Sequence, residues 1–455
     1  MSFLACVDLS ADRLSGFNVL GLNHRTAPLE LREQLTIEKE QLAPALERLR
    51  QYVEQGVVLS TCNRLEVYTF GPLDRLADRV QGFLCDHSQV PEARLAPYLY
   101  QCREGDCVRH LFRVTGGLDS MILGERQILG QVRGAFSAAS RESHMGGPLS
   151  RLFHQALRVG RRIHRDTAIG GNSRSVSRAA VELARRLLGE LSPRRALVIG
   201  AGDAGRLVAQ ALADAGVRQI VVTNRTYSRA EGLAQELGGV AAPWEDLDRQ
   251  LAAADVVISS TGAPGYVLDR ATVQQATQHR DGRPLLLIDI AVPRDIDPLV
   301  AELDRVQLYD IDALQMVAEV SLPDGGLALG VAQAEQIVAE ETARFLEWWR
   351  SLDAVPVIAA LRAQAEELRR AEVARTLRRI EKQWGKQWQR QWPAEGGPPS
   401  LDDLAQRLDA MTQALVNKLL HQPTVRLKEL GDPAQQDLAR QLFDLDVGDG
   451  HEDRQ

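Results

Sequence analysis

The sequence predicts an α/β fold in three parts, and three observations carry that expectation. Two apolar, β-rich runs, Val57 to Leu59 and Leu65 to Phe70, stand close together among helical periodicities near the N-terminus, which predicts an α+β domain. From about residue 195 short apolar strand patterns alternate with helical ones, which predicts a parallel sheet covered on both faces. Beyond residue 327 the pattern is helical almost throughout. The expected domains are 1–165, 166–315 and 316–455, the last ending in a disordered tail from Val447.

Length and composition agree with this division. A chain of 455 residues is long enough for about three domains, each with its own core. Hydrophobic residues at 44% and charged residues at 25% make an ordinary soluble balance. The formal net charge of -7 argues against a globally basic nucleic-acid binder, so such a partner must meet a local basic patch. The start lacks a basic n-region and no apolar run approaches about 18 residues, so a cytoplasmic protein without a membrane segment is expected. The five cysteines, Cys6, Cys62, Cys85, Cys102 and Cys107, are odd in number and form no CxxC pair. Neither a disulfide framework nor a metal site is expected.

In chain order, Phe17 to His24 reads as a strand, Ala27 to Leu35 as a turn and helix, and Thr36 to about Val53 as further helix leading to the next strand. This is a βαβ-like start. His24, at the end of the first strand, either lines the cleft that holds Cys62 or is a hydrogen-bonded structural histidine. Thr61, Cys62, Asn63 and Arg64 form a polar bend between the two β-rich runs, a place suited to a nucleophile. Arg64 is placed to lower the thiol pKa or to grip a carboxylate bidentately. The alternative is that Cys62 is a small buried hydrophobe at a strand end.

His110 to Gln131 is the second polar block. Gly116, Gly117 and Gly124 break the helical pattern, and Asp119, Ser120, Glu125, Gln127 and Gln131 crowd the breaks. Gln127 and Gln131 share a helix face. The set suits a small polar substrate, or else Ser120 and Glu125 serve as helix caps. From Arg151 to Arg178 the chain turns basic, with Arg151, Arg158, Arg161, Arg162, Arg165, Arg174, Arg178, His154 and His164 against Asp166. This stretch offers a cationic helix face for an anionic partner or a solvated face paired with acids elsewhere.

The clearest motif follows. Arg195 to Ile199 reads as a buried strand, Gly200-Ala201-Gly202-Asp203-Ala204-Gly205 as a phosphate-binding turn, and Arg206 to Gly216 as the helix after it. Free amides and the helix dipole there favour a pyrophosphate, which predicts a Rossmann-like domain running to about residue 312. After the second strand, Gln219 to Thr223, stand Asn224, Arg225 and Thr226 rather than an acid. A cation with neutral donors suits a ribose 2′-phosphate, so NADPH is expected over NADH. Further strands are expected within Ala254–Pro264, Pro284–Arg294 and Val306–Asp312. Long helices over Leu327–Leu352, Val357–Trp392 and Leu401–Leu420, with a loop at Pro393–Ser400, suggest a dimerisation bundle.

Four segments taken together, Gly21-Leu-Asn-His-Arg-Thr-Ala-Pro28, Ser60-Thr-Cys-Asn-Arg-Leu-Glu-Val-Tyr68, Gly117 to Val132 and the glycine turn, resemble the glutamyl-tRNA reductase family. The resemblance implies reduction of glutamyl-tRNA(Glu) with NADPH to glutamate-1-semialdehyde and release of free tRNA, the first step of 5-aminolevulinate and porphyrin biosynthesis from glutamate. It implies a V-shaped homodimer with catalytic, NADPH-binding and helical dimerisation domains, no required metal, and transfer of product to glutamate-1-semialdehyde aminomutase. Cys62 would be the nucleophile that carries a thioester, and His110 a residue important for activity. Thr61, Asn63, Arg64, Ser120, Glu125, Arg126, Gln127 and Gln131 would hold the substrate. Arg126 departs from the proline common at that position. A shikimate-dehydrogenase-like enzyme acting on a free small molecule, or a nucleotide-sensing binding protein, are the alternatives.

Overall fold

The computed structural model describes residues 15–142, 144–170, 176–280, 282–314, 325–352, 354–384, 401–429 and 433–445. Cys6, Arg174, the Pro393–Ser400 loop and the tail from Val447 lie outside the described residues. The chain divides into two compact units between Thr342 and Ala343.

The first unit opens with an antiparallel sheet of β1 (Ser15–Asn23), β2 (Gly56–Ser60), β3 (Arg64–Pro72) and β4 (Tyr100–Arg103), in the order β2-β3-β1-β4. Between β1 and β2 come α1 (Leu29–Leu35) and α2 (Leu42–Leu49). The expected βαβ-like start is therefore only half right, because β3 lies between β1 and β2 and pairs antiparallel with both. Only residues 61–63 separate β2 from β3. So short a connection forces a hairpin and leaves no room for a parallel neighbour. The helix expected from Thr36 is also shorter, since the Ile37 amide donates to Ser60 Oγ at 3.0 Å and holds that segment as a loop.

Then follow α3 (Leu76–Ser88), α4 (Glu92–Leu95), α5 (Glu104–Thr115), α6 (Gln127–Arg141) and α7 (Gly147–Asp166). On α7, Leu149, Leu152, Phe153, Ala156, Leu157, Gly160 and Ile163 recur at helical spacing and are all buried. A Cβ at Gly160 would fall 2.7 Å from the Thr115 carbonyl oxygen, so only glycine lets α5 and α7 approach this closely. Arg158, Arg161 and Arg165 occupy the opposite, exposed face. Part of the basic stretch is paired with acids, with Arg162 bound to Glu341 at 2.6 Å and Arg165 to Asp166 at 2.6 Å.

The second sheet is parallel and contains β5 (Arg195–Ile199), β6 (Gln219–Thr223), β7 (Val240–Ala242), β8 (Val256–Ser259), β9 (Leu285–Asp289) and β10 (Val306–Tyr309). Its order, β10-β9-β8-β5-β6-β7, runs outward in both directions from β5, and the direction of winding switches between β5 and β8. That is the doubly wound arrangement in which dinucleotides bind beyond the strand ends at the switch. Covering helices are α8 (Val176–Leu188), α9 (Asp203–Asp214), α10 (Tyr227–Leu237), α11 (Leu247–Ala253) and α12 (Arg270–Gln278). Alternate residues face opposite cores. Val198, Ile258 and Ile288 join one apolar cluster, while Leu197, Val257 and Leu287 join the other. The edge strand β7 has three residues, too few for its alternation to stand out in the sequence.

A long helix, α13 (Gly325–Ser351), begins in the first unit, where Glu341 meets Arg162 and Gln155. The second unit contains α14 (Ala354–Trp384), α15 (Leu401–Glu429) and α16 (Pro433–Phe443). Its core brings Val357, Ile358 and Leu361 of α14 onto Leu427 of α15 and Ala439 of α16. The helix expected to stop near Leu420 continues to Glu429 through Pro423.

Candidate active site

The β2–β3 turn is fixed by its own polar atoms. The Thr61 amide donates to the Arg64 carbonyl at 2.9 Å, and Thr61 Oγ1 accepts from the amides of Asn63 and Arg64, each at 3.2 Å. The His24 amide at the end of β1 donates to the Asn63 carbonyl at 2.8 Å. A residue overlooked in the sequence completes the hold: Arg32 of α1 donates from Nη1 to the Cys62 carbonyl at 3.0 Å and to Asn63 Oδ1 at 3.4 Å. Cys62 itself is partly buried and packs against the apolar cluster that includes Leu29, Met121 and Ile122. Its carbonyl is pinned by Arg32.

Arg64 lowers the pKa of this thiol as the sequence suggests, but only weakly. Its Nη1 donates to Glu66 Oε1 at 2.5 Å and to Asp119 Oδ2 at 3.1 Å, and its Nη2 to the Asp119 carbonyl. Two carboxylates thereby offset its charge. Burial pushes the Cys62 thiol up to about 12, nearby Glu125 adds to the rise, and Arg32 and Arg64 offset only part of it. Arg64 does not grip a carboxylate bidentately, because Nη1 is shared between one oxygen of Glu66 and one of Asp119 while Nη2 goes to a backbone carbonyl.

Glu66 is completely buried and collects four donors: Arg64, the Tyr68 hydroxyl at 2.6 Å, the Tyr100 hydroxyl, and His110 Nε2 at 2.9 Å. Burial alone would raise its pKa, but Arg64, His110 and the hydrogen bonds hold the carboxyl well below its usual range. An ionised Glu66 can only accept, so His110 carries its proton on Nε2. His110 also lies against the rings of Tyr68 and Tyr100, with centroids at 6.5 and 5.5 Å. It thus stands behind Arg64, linked through Glu66 and Arg64 to the loop that carries Asp119.

That loop runs from Gly117 to Arg126. Gly117 and Gly124 have φ of +73° and +79°, and the Gly124 amide donates to the Gly117 carbonyl at 2.9 Å, closing its neck. Asp119, Ser120 and Glu125 are all buried within it. Neither Ser120 nor Glu125 caps α6, whose N-cap is Arg126 without a side-chain bond. The capping alternative falls for these two residues. Burial raises the Glu125 carboxyl to about 7, against a smaller opposing effect of Arg64. Beyond it, Arg126 is exposed, Gln127 half-buried and Gln131 exposed one turn further along α6. The His24 ring nitrogens are buried without a partner, and its pKa is lowered to about 4 by burial and then by Arg25, Arg64 and Arg32. The hydrogen-bonded reading of this histidine does not hold; it is a neutral ring among arginines.

The glycine turn sits at the switch between β5 and β8. Gly200 has φ of +103°, and a Cβ there would fall 2.7 Å from the Ser260 carbonyl oxygen. A Cβ on Gly205 would fall 2.0 Å from the Gly200 carbonyl oxygen, whereas nothing lies within 4 Å of one on Gly202. The turn is therefore closed behind and open in front, and Gly202, Asp203 and Ala204 are exposed at the start of α9. Asn224 Oδ1 accepts from the Ala201 amide at 3.2 Å, and its Nδ2 donates to the Thr226 carbonyl at 3.0 Å. Asn224 braces the turn, and Arg225 beside it is exposed. These residues fit a dinucleotide phosphate cradle.

Three ion pairs join α1 to this nucleotide domain, one of them Arg294 Nη1 with Glu30 Oε1 at 3.2 Å. Arg294 donates from its amide and Nε to Glu33 Oε1 at 2.7 and 2.8 Å and from Nη2 to Oε2 at 2.9 Å. Arg32 Nη2 donates to Asp312 Oδ1. Arg32 and Glu66 were legible only as anomalies, an arginine at the apolar spacing of Leu29 and Leu35 and an acid inside an apolar strand.

A doubly wound nucleotide domain tied to a second domain that carries a cysteine on a fixed turn defines a nicotinamide-dependent oxidoreductase. Residues 20–167 match the model for the glutamyl-tRNA(Glu) reductase N-terminal domain, 182–317 that for shikimate/quinate 5-dehydrogenase, and 333–391 with 396–445 that for the glutamyl-tRNA(Glu) reductase dimerisation domain. The glutamyl-tRNA reductase of Syntrophotalea carbinolica is 41% identical over 438 residues, covering 94% of each chain. That of Geobacter sulfurreducens is 42% identical over 435 residues, covering 94% of this chain and 96% of its own. The solved glutamyl-tRNA reductase of Methanopyrus kandleri is 33% identical, with a TM-score of 0.47 over 94% of this chain and 99% of its own. The chain belongs to the glutamyl-tRNA reductase family. Among the described residues, no helix is long and apolar enough to cross a membrane.

Proposed function

We propose that the chain reduces the glutamyl ester of tRNA(Glu) to glutamate-1-semialdehyde through a thioester on Cys62, with NADPH as the reductant. The observation that carries this reading is the placement of Cys62. A turn pinned by Thr61, His24 and Arg32 presents the thiol next to Glu125, in a unit that also contains the doubly wound sheet.

Cys62 loses its proton and Sγ attacks the ester carbonyl carbon, the bond from that carbon to the terminal ribose oxygen breaks, and the ribose oxygen takes up a proton. Thr61, Asn63, Ser120, Glu125, Arg126, Gln127 and Gln131 orient the glutamyl group and the tRNA end. Glu125, raised to about 7, is suited to the substrate ammonium, whose positive charge favours the ionised carboxylate. NADPH, when bound, would supply a hydride for the thioester carbon, from which Cys62 Sγ would leave as thiolate. Arg64 and His110 act as positioning residues through Glu66 and Asp119. Gly200 to Gly205 cradle the pyrophosphate, Arg225 pairs with the 2′-phosphate, and Thr226 adds a neutral donor; this preference for NADPH rests on the absence of an acid there.

The protein works as a homodimer through its helical domain. Met411, Leu415 and Leu419 are 53, 52 and 72% exposed at four-residue spacing on α15, an apolar stripe that suits a second copy. Handover of the reactive aldehyde to an aminomutase is part of the same proposal. The test is single turnover with radiolabelled glutamyl-tRNA, with and without NADPH, in wild type and Cys62→Ser. Label trapped on the wild type alone and released as aldehyde by NADPH supports the reading, and a variant that reduces the substrate as well as wild type sinks it.

A further inference from the structure

Arg32 is a buried cation that the proposed chemistry does not use. It is 3% exposed on α1, and its two terminal nitrogens serve two domains. Nη1 donates to the Cys62 carbonyl at 3.0 Å and to Asn63 Oδ1 at 3.4 Å, while Nη2 donates to Asp312, three residues beyond β10 in the nucleotide domain. Its Nε is buried without a partner. A guanidinium taken out of water needs compensation, and the carboxylate that provides it belongs to the other domain. The neighbouring residue on α1, Glu33, takes three hydrogen bonds from Arg294 of the same domain. Helix α1 is thus tied to the nucleotide domain through Glu30, Glu33 and Arg32, and the last tie passes through the side chain that holds the nucleophile's own carbonyl.

We propose that Arg32 is a positioning residue for the nucleophile turn and that Asp312 holds its guanidinium in place, so that seating of the nucleotide domain sets the direction of the Cys62 thiol. This rests on the reading of Cys62 as the nucleophile. The planar fork of arginine reaches the turn with one nitrogen and Asp312 with the other, which the single ammonium of lysine cannot do. Attack at a carbonyl tolerates little misplacement, and a shift of about 1 Å is enough to cost a hundredfold in rate. Because the turn is held through a backbone carbonyl, a change at Arg32 moves the thiol without removing any group that touches substrate.

The test measures thioester formation from labelled glutamyl-tRNA in the wild-type dimer, Arg32→Lys, Asp312→Asn and the double variant, without NADPH and at varied substrate. Arg32→Lys is expected to lower the single-turnover rate at saturation about a hundredfold while half-saturation moves less than about threefold. Asp312→Asn, at a half-exposed position, is expected to lower it about tenfold, and the double variant to be no slower than Arg32→Lys because the two act in series. Thermal melting and NADPH binding of each variant establish that it is folded. A wild type that traps no label overturns the nucleophile reading itself. A trapping wild type matched within twofold by folded Arg32→Lys, or variants whose losses multiply, overturns the positioning role of Arg32 and Asp312. Should Arg32→Lys not fold, Asp312→Asn alone decides, since a wild-type rate there removes the link.

Discussion

Arg64 Nη1 lies 2.5 Å from Glu66 Oε1, and neither side chain is more than 1% exposed. This pair is the centre of a closed circuit, because Glu66 also takes Tyr68, Tyr100 and His110 while Arg64 also takes Asp119. Removing Glu66 leaves the buried Arg64 with Asp119 as its one carboxylate and takes the shared acceptor from Tyr68, Tyr100 and His110. Glu66→Ala is therefore expected to destabilise the protein by about 3–5 kcal/mol, read as a lower urea midpoint. A loss below about 1 kcal/mol, the size of an exposed pair, would mean that the buried circuit does not form. With the Glu66 carboxyl held well below its usual range, its contribution is complete above the unfolded value near 4.5 and is lost only in strong acid.

The thiol and the Glu125 carboxyl are coupled. Cys62 is pushed up to about 12 by burial first and Glu125 second, and Glu125 is raised to about 7. Since the thiolate is the form that reacts, free protein is expected to be alkylated slowly by iodoacetamide at pH 8, the rate climbing as pH approaches the thiol pKa. Glu125→Gln removes the repelling charge and is expected to raise the rate at pH 8 severalfold, with Cys62→Ser as the blank. Equal rates for wild type and Glu125→Gln would show that the carboxylate does not act on the thiol.

These groups mark the limit of what the sequence discloses. The order strand, glycine turn, helix was legible because each piece has a local signature, and the apolar runs of β5, β6, β8 and β9 are each complete within the strand. The sheet order β2-β3-β1-β4 was not, since it follows from a three-residue turn forcing a hairpin against an inserted neighbour. Cys62, Ser120 and Glu125 could be singled out from their neighbours in the chain. The pairing of Arg64 with Asp119 and of Arg32 with Asp312 could not, because the partners lie 55 and 280 residues apart. Long-range pairing of charges leaves no periodic trace.

Arg225 stands exposed beside the braced glycine turn, with Asn224 already committed to the Ala201 amide. If it meets a 2′-phosphate, Arg225→Ala removes one charge-assisted contact of about 1.5–3 kcal/mol, which is roughly a ten- to hundredfold loss in NADPH affinity. Binding of NADH, which has no such phosphate, should change by less than about twofold. Parallel fluorescence titrations measure both. Equal losses for the two nucleotides would remove the basis for preferring NADPH.

On α15 the exposed stripe of Met411, Leu415 and Leu419 offers a separate test of assembly. Placing carboxylates in an apolar interface is strongly unfavourable because each must be desolvated without a partner. Leu415→Glu with Leu419→Glu is expected to turn a dimer into a monomer in light scattering, with the helical circular dichroism retained. A double variant that stays dimeric would move the interface off this face.

His144 supplies the pH test with the clearest sign. The residue is completely buried, both ring nitrogens lack partners, and its pKa is lowered to about 4 by burial and then by Arg50, with Glu47 opposing. In the unfolded chain the ring takes a proton near 6.5. As pH falls below 6.5 the unfolded state binds that proton and the folded state does not, so stability present above 6.5 is lost progressively down to about 4. Buried carboxyls raised in the folded state, Glu125 and Asp289, act in the opposite direction over the same range, so the wild-type profile alone conceals the effect. His144→Phe keeps a planar ring and removes the titration. Its stability relative to wild type is therefore expected to rise as the buffer goes from pH 7 to pH 5, by on the order of 1 kcal/mol in paired urea titrations. A constant difference between the two proteins across that interval would mean that His144 protonates as readily folded as unfolded, and that burial does not hold it neutral.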